Sequence, residues 1–292
     1  MRTDAFVGYE GPYDWPMMRA WLERRALNGV ESVREDGYAR TLHIDGSPGV
    51  VNVTYAPDRS GFVVRLATMA PVGREGIAAR LVRVLDLDRD LVVMGRHLRH
   101  DPWLAGLLVR HAGLRVPGGW DPFELAVRAV LGQQVTVTAA RALVSHLTRI
   151  CGEALPRPLV SNSLGWIFPT AACVAAADLS PLRMPGNRRA TLKALADASA
   201  GDPGLFEPSS SLEASVGRLR AIKGIGDWTA HYIALRALRH PDAFPSSDIG
   251  LLRGAAREHG VRPSPAALLA RAEAWRPCRA YAAQLLWAED GG

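Results

Sequence analysis

The sequence predicts an α+β protein in which an antiparallel sheet with helices is followed by a mostly helical region. Three segments between residues 39 and 67 alternate apolar and polar side chains, and Ser-Pro-Gly and Pro-Asp-Arg-Ser-Gly sequences separate them as turns. Apolar residues at helical spacing over 17–27 predict a helix ahead of these strands. After about residue 90 the strand patterns stop and helical patterns dominate. We therefore place an N-terminal α/β domain at 1–90 and a helical region at 91–292.

Composition limits the class of protein. The chain has 292 residues, a hydrophobic fraction of 48% and a net charge of +6, which together exclude wholesale disorder and suit a polyanionic partner. No apolar run approaches the length of a membrane span and residues 1–13 do not resemble a signal peptide, so we expect a cytoplasmic location. Cys151, Cys173 and Cys278 are too few and too widely spaced for a disulfide framework or an iron–sulfur cluster. We expect reduced, mostly buried thiols.

Several helix boundaries in the second region can be located from local signals. Asp121-Pro122-Phe123-Glu124 is typical of a helix start, with a capping Asp, Pro at the first position and Glu in the first turn. The helix that follows is broken at Gly132-Gln133-Gln134, and helical spacing then resumes until Gly152. Ser210 to Glu213 forms a second capping box, which opens a short helix to about Arg220.

The most informative segment is Ile222-Lys223-Gly224-Ile225-Gly226-Asp227-Trp228-Thr229-Ala230, within a helix–turn–helix at 212–238. Gly224 and Gly226 permit positive φ and close approach of the backbone to a partner. Their amides precede a helix, where a phosphate binds well, and Ile225 between them would anchor the turn in the core. An ordinary helix–helix turn is the alternative for an isolated Gly-x-Gly, but the complete pattern favours a contact to the DNA backbone.

This segment resembles the helix-hairpin-helix motif of DNA glycosylases, with Lys223 where the family has proline. Further segments resemble the bacterial 3-methyladenine DNA glycosylase II type in the same order along nearly the whole chain. They are Gly11-Pro12-Tyr13-Asp14-Trp15, Leu131-Gly132-Gln133-Gln134-Val135, Phe244-Pro245-Ser246-Ser247-Asp248, and Trp275-Arg276-Pro277 through Tyr281 to Trp287. The resemblance implies a TBP-like N-terminal half and a helical glycosylase region of two subdomains.

The resemblance also implies an activity. A monofunctional glycosylase of this type hydrolyses the N-glycosidic bond of 3-methyladenine or 7-methylguanine in double-stranded DNA during base excision repair, as a monomer with no required cofactor. Asp248 is the matching catalytic carboxylate, because one carboxylate near C1′ stabilises the oxocarbenium-like sugar. Its alternative role is that of N-cap for a helix over 249–258.

The base must leave the stack to be reached, and an aromatic pocket suits a cationic base. By resemblance Trp21, Trp228, Tyr232 and Trp287 line this pocket, although aromatic side chains four residues apart on a helix are usually part of a core. Ile249 and Gly250 replace bulkier residues of the relatives and imply a roomier pocket.

The resemblance further implies the contacts to DNA, which involve Gln133, Gln134, Gly224, Ile225, Gly226 and Thr229. Gln134 stands where relatives carry a leucine that fills the space left by the flipped base. A Na⁺, K⁺ or Mg²⁺ ion is implied at the hairpin, held by the backbone carbonyls of Arg220, Ile222 and Ile225.

Two other functions stay open at this point. The first is a non-catalytic helix-hairpin-helix module that binds DNA or recognises lesions, which needs neither Asp248 nor an aromatic pocket. The second is a glycosylase/lyase for oxidised bases, which needs an amine nucleophile. The superfamily places that lysine where this chain has Trp228.

Overall fold

The computed structural model describes residues 2–70, 73, 75–161, 163–207 and 209–291, apart from the side chains of Arg2, Thr3, Glu75 and His259. The N-terminal domain is built on a five-stranded antiparallel sheet of order β1-β5-β4-β3-β2. Its strands are β1 (Arg2–Gly8), β2 (Glu31–Arg34), β3 (Gly37–Ile44), β4 (Ser47–Ala56) and β5 (Gly61–Thr68). The predicted antiparallel sheet is therefore confirmed.

The three alternating segments correspond to β3, β4 and β5, and one of the predicted turns is displaced. Ser47, Pro48 and Gly49 lie in β4 rather than in the turn. The turn between β3 and β4 is Asp45-Gly46, whose φ angles are 50° and 76°. Asp-Gly suits such a turn because both central residues of this hairpin type need positive φ.

Two helices cover this sheet, α1 (Trp15–Arg25) and α2 (Glu75–Leu85). Asp14 caps α1 by accepting a hydrogen bond from the backbone N–H of Met17 at 3.0 Å. Buried residues of both helices pack with the sheet in a core that extends from Val7 to Leu87 and also includes Trp120. The boundary at residue 90 stays a prediction.

Helices dominate the remainder of the chain, as predicted, with one two-stranded sheet formed by β6 (Glu153–Ala154) and β7 (Trp166–Ile167). The helices are α3 (Leu91–Leu98), α4 (Pro102–Arg110), α5 (Pro122–Leu131), α6 (Val137–Cys151), α7 (Ala171–Ala176), α8 (Gly186–Gly201), α9 (Leu212–Arg220), α10 (Asp227–Arg236), α11 (Ile249–His259), α12 (Pro265–Ala272) and α13 (Arg279–Glu289). Asp121 caps α5 as predicted, by accepting from Glu124 N at 2.9 Å. The cap of α9 is Ser211 and not Ser210, since the Ser211 side chain accepts from Ala214 N.

A buried ion-pair network joins the two regions. Arg40 on β3 pairs with Glu124 on α5 at 2.7 Å, and Arg128 on α5 pairs with Glu31 and Glu124 at 2.6 Å each. Burial alone would raise the pKa of Glu124, but Arg40 and Arg128 outweigh it and lower that pKa to about 2. Removing one member of a buried ion pair leaves the other charge buried without a partner, which is strongly destabilising. This network therefore stabilises the packing of the sheet against the helices.

Three further observations concern expectations from composition. Among the described helices, none is both long and apolar enough to cross a membrane. Only Cys278 is a buried thiol, whereas Cys151 is half-buried and Cys173 is exposed, so the expectation of mostly buried cysteines is wrong. In the described part of the chain, no group of three or more His, Cys, Asp or Glu side chains could hold a metal ion.

Candidate active site and nucleic-acid interface

The hairpin lies between α9 and α10, and Gly224 is required by the fold itself. Its φ is +88°, and a Cβ added there would lie 1.8 Å from Thr191 Oγ1. A side chain at this position would therefore meet both backbone strain and a clash with α8. Ile225 is 4% exposed and packs in the helical core, which confirms its predicted anchoring role.

Gly226 differs from Gly224 in both respects. Its backbone is extended, with φ −86° and ψ −179°, so of the two glycines only Gly224 uses the positive φ that glycine permits. A Cβ added at Gly226 would meet nothing within 4 Å. No side chain caps α10, whose first amides follow Gly226. Such an uncapped N-terminus attracts an anion, and the absent side chain lets one approach closely.

The loop between α5 and α6 is fastened to the hairpin by Gln133. The Gln133 Nε2 atom donates to the carbonyl oxygen of Gly224 at 3.2 Å and to Thr229 Oγ1 at 3.0 Å. Thr229 as a whole is only 2% exposed and its hydroxyl accepts from Gln133, so its contact to DNA stays a prediction. Gln134 is exposed and has a φ of +55°. A non-glycine residue in this strained conformation is often found at a functional site.

Asp248 has four hydrogen-bond donors around its carboxylate. It caps α11, because Oδ1 accepts from the backbone N–H of Gly250 at 2.9 Å and of Leu251 at 3.1 Å. Two indoles also donate to it, Trp228 Nε1 to Oδ2 at 2.7 Å and Trp287 Nε1 to Oδ1 at 2.9 Å. The cap is thus confirmed, and it coexists with a carboxylate held against the aromatic side chains. The catalytic role of Asp248 stays a prediction.

The structure brings three of the predicted pocket rings into direct contact. Trp228 stacks on Tyr232 with ring centroids 5.5 Å apart, and Tyr232 meets Trp287 edge to face at 6.2 Å. All three are half-buried, as expected for the wall of an accessible pocket rather than a closed core. Trp21 is buried in the N-terminal core and reaches this group through Arg236. Its pocket role stays a prediction.

Gly250 lies between Trp287 and Asp248 and lets the two approach each other closely. A Cβ at Gly250 would lie 3.0 Å from Trp287 Cδ1 and 3.1 Å from Asp248 Oδ1, which is tighter than an ordinary contact. The Trp287 indole therefore lies directly beside Gly250, and the expectation of a roomier pocket stays a prediction. Ile249 is 50% exposed.

Arg236 is a part of this site that the sequence analysis missed. It is only 2% exposed, and its Nη1 and Nη2 donate to the carbonyl oxygen of Pro117 at 3.0 Å and to Gln284 Oε1 at 2.8 Å. Burial lowers the pKa of its guanidinium to about 10. A sequence signal existed, since Arg236 follows Tyr232 by four residues and so lies on the same face of α10.

The carbonyls predicted to hold a cation lie where α9 ends. Arg220 is the last residue of α9, and the final carbonyls of a helix lack partners within it and carry its negative dipole end. The Ile222 carbonyl accepts a hydrogen bond from Ile225 N at 3.0 Å, which leaves its second lone pair available. These carbonyl oxygens are compatible as ligands of a monovalent or divalent cation.

Known proteins resemble the chain over both regions. Residues 6–121 match the family model described as the AlkA N-terminal domain. The chain is 34% identical to DNA-3-methyladenine glycosylase 2 of Escherichia coli, over 98% of its length and 97% of that protein. It is 36% identical to the probable bifunctional transcriptional activator/DNA repair enzyme AlkA of Mycobacterium tuberculosis, but covers only 55% of that relative. The fold is similar to that of the 3-methyladenine DNA glycosylase from Archaeoglobus fulgidus, with a TM-score of 0.81 at 21% identity over 98% of both chains.

Proposed function

Because the chain belongs to the AlkA family of DNA-3-methyladenine glycosylases, we propose that it is a monofunctional DNA glycosylase that removes alkylated bases from duplex DNA. The observation that carries this proposal is the Asp248 carboxylate, held by the indole N–H groups of Trp228 and Trp287 beside the Tyr232 ring. We expect the protein to act as a monomer in the cytoplasm, on DNA carrying 3-methyladenine or 7-methylguanine.

The geometry supports hydrolysis of an N-glycosidic bond. As the C1′–N bond breaks, positive charge develops on the sugar, and the preorganised Asp248 carboxylate stabilises it. The indoles and backbone amides that hold Asp248 need no reorganisation during the reaction. Electrostatic stabilisation of a transition state is large when the groups that provide it are already in place. Water then adds to C1′ and completes the release of the base.

Flipping the base requires contacts that bind the DNA backbone and a side chain that fills the space left by the base. The amides after Gly226 supply these contacts, since the helix end is uncapped and open to a phosphate. Gln134 supplies the filler, because it is exposed at the tip of a loop that Gln133 fastens to the hairpin. A cation at the carbonyls of Arg220, Ile222 and Ile225 would neutralise part of a bound phosphate's charge.

A non-catalytic lesion-binding module is the second candidate, and one experiment separates the two. Duplex DNA treated with a methylating agent is incubated with the protein, and released bases are resolved by chromatography. Free 3-methyladenine and 7-methylguanine are expected with the wild-type protein, and much less with Asp248→Asn. Binding to methylated duplex without release of any base would contradict the enzyme and support the binding module.

We also propose that no lyase step follows base release. The chain has two lysines, Lys193 and Lys223, and Trp228 stands where a lyase of the superfamily has its lysine. A Schiff base needs an amine placed at C1′. Borohydride added during base excision should therefore trap no covalent protein–DNA adduct. Trapping that disappears in Lys223→Ala would contradict this and restore the bifunctional alternative.

A further inference from the structure

Behind the aromatic rings of the candidate pocket lies a buried cation. The Cζ atom of Arg236 is 4.7 Å from the ring centroid of Trp287, 5.4 Å from that of Trp21 and 5.9 Å from that of Tyr232. We propose that Arg236 supplies a fixed positive charge on the side of the leaving base, and that this charge promotes departure of the base. Asp248 has the complementary role on the other side, where it stabilises the cation that forms on the sugar. This inference rests on the proposed glycosylase function.

In the described part of the chain, no carboxylate is in direct contact with Arg236, although the Asp248 carboxylate acts on its charge through space. Its hydrogen-bond partners, the Pro117 carbonyl, Gln284 Oε1 and the Tyr232 side chain, are neutral. Among the described residues, no Asp or Glu forms a salt bridge with its guanidinium, and its Nε has no hydrogen-bond partner. A buried charge with neutral partners carries a desolvation cost, which a purely structural role would more simply avoid with an uncharged side chain.

The electron movement of the reaction explains where such a charge is useful. When the C1′–N bond breaks, its electron pair stays on the base nitrogen and the sugar becomes an oxocarbenium ion. Water then adds to C1′ and gives its proton to solvent. A cationic base leaves neutral, and a neutral base leaves as an anion that takes a proton from water. In both cases the base becomes more negative by one charge, which a fixed cation nearby favours.

Arg236 has a different effect on substrate binding. A cationic base stacked on the aromatic rings faces a second cation behind them, so Arg236 weakens its binding before bond cleavage. That repulsion falls as the charge moves to the sugar, and Arg236 therefore favours the transition state over the bound substrate. A neutral base such as hypoxanthine meets no such repulsion when it binds.

The magnitude follows from Coulomb's law. A base stacked on the opposite face of an aromatic ring would lie about 8 Å from the guanidinium. At an effective dielectric constant of about 20, attraction of the base alone would correspond to about 30-fold, but the sugar gains the opposite charge a few ångströms farther away and offsets much of it, so loss of the charge should slow base release about threefold to fivefold. Burial lowers the pKa of Arg236 to about 10, so the side chain keeps its charge at neutral pH.

The experiment compares Arg236→Met, which is neutral, with Arg236→Lys, which keeps a positive charge. Single-turnover base release is measured over a range of enzyme concentrations on duplexes containing either 7-methylguanine or hypoxanthine. Arg115→Met is the matched control, because Arg115 is also buried, hydrogen-bonds backbone carbonyls, and lies 5.6 Å from the Tyr13 ring centroid away from the pocket. Thermal unfolding monitors the fold, and Arg236→Gln replaces Arg236→Met if the latter does not fold.

The expected result separates rate from affinity. Arg236→Met should lower the maximal rate on both duplexes about threefold to fivefold. It should leave unchanged or lower the half-saturating concentration for 7-methylguanine. Arg236→Lys should retain more of the rate, and Arg115→Met should change neither quantity. A wild-type rate in Arg236→Met, or equal losses of rate and affinity in all Arg236 variants, would overturn the inference. A wild-type protein that releases neither base would instead overturn the proposed function.

Discussion

Asp248→Asn is the most direct perturbation of the candidate active site, and the structure shows that it changes more than charge. The Asp248 Oδ1 atom caps α11 and Oδ2 accepts from Trp228 Nε1 at 2.7 Å. If the Asn oxygen keeps the cap, its amide nitrogen replaces Oδ2 and faces the Trp228 indole N–H. Two donors then point at each other, so the variant loses a hydrogen bond as well as the carboxylate.

The two effects differ in size and can be measured separately. Loss of preorganised electrostatic stabilisation should slow base release by about 10² to 10³. The cap itself costs little, because Asn and Asp are similar N-caps. The unpaired indole N–H should lower the free energy of unfolding by about 1 kcal/mol, at the lower end of the usual range because Asp248 and Trp228 are only half-buried.

A double variant separates catalysis from stability. Trp228→Phe removes the indole N–H that would face the side-chain amide in the single variant Asp248→Asn. Asp248→Asn should therefore lower the free energy of unfolding less in the Trp228→Phe background than in the wild-type protein. The difference, measured by chemical denaturation, should be about 1 kcal/mol. Single-turnover base release should stay equally slow in the double variant. If Asp248→Asn released 3-methyladenine within about threefold of the wild-type rate while folding cooperatively, Asp248 would be a helix cap only.

The remaining predictions concern the contact to DNA. Gly226→Val should weaken binding to any duplex, measured by fluorescence anisotropy, with an unchanged melting temperature, because a Cβ there meets no protein atom within 4 Å; normal binding would remove the phosphate assignment. Gly224→Val should instead lower the melting temperature through strain and the contact with Thr191, and it serves as the comparison for a fold defect. Gln134→Ala should slow excision from stable base pairs more than from mismatches, since unstacking costs a few kcal/mol and less at weak pairs. Equal losses on the two substrates in a single-turnover assay would contradict the filler role.

The fold was predictable where a local pattern determines an element. The alternation in β3, β4 and β5 and the cap at Asp121 are examples. β1 escaped prediction because its pairing is non-local, with β5 from Arg2↔Ala67 to Gly8↔Gly61. β2 forms a tight hairpin with β3, but its four residues are too few to show an alternation. Ser210 fits a capping box with Glu213, whereas Ala214 stands three residues after Ser211, and only the hydrogen bond to Ala214 N identifies Ser211 as the cap.

The candidate site was predictable in its membership but not in its contacts. The resemblance identified Asp248, Trp228 and Trp287, yet nothing in a sequence says that both indoles donate to the one carboxylate. Gly250 suggested free space, and the sequence does not say that the Trp287 indole lies directly beside it. Arg236 was overlooked because an arginine in a helix is usually solvated, and its burial arises from packing between Trp21 of the N-terminal domain and the rings of the helical region.

The hydrogen bonds of Gln133 bear on how damage is found. They tie the loop that carries Gln134 to the turn at Gly224, so under the proposed function the residue that fills the gap and the turn that contacts the DNA backbone keep a constant separation. In the proposed function, this separation would span a set number of nucleotides on a regular duplex. When the protein moves along the DNA by one phosphate, Gln134 would meet one new base pair. The distance between Gln134 and the bound phosphate would stay the same at each step, and the loop would not need to rearrange. Inspection of long stretches of DNA then requires movement along the polymer only.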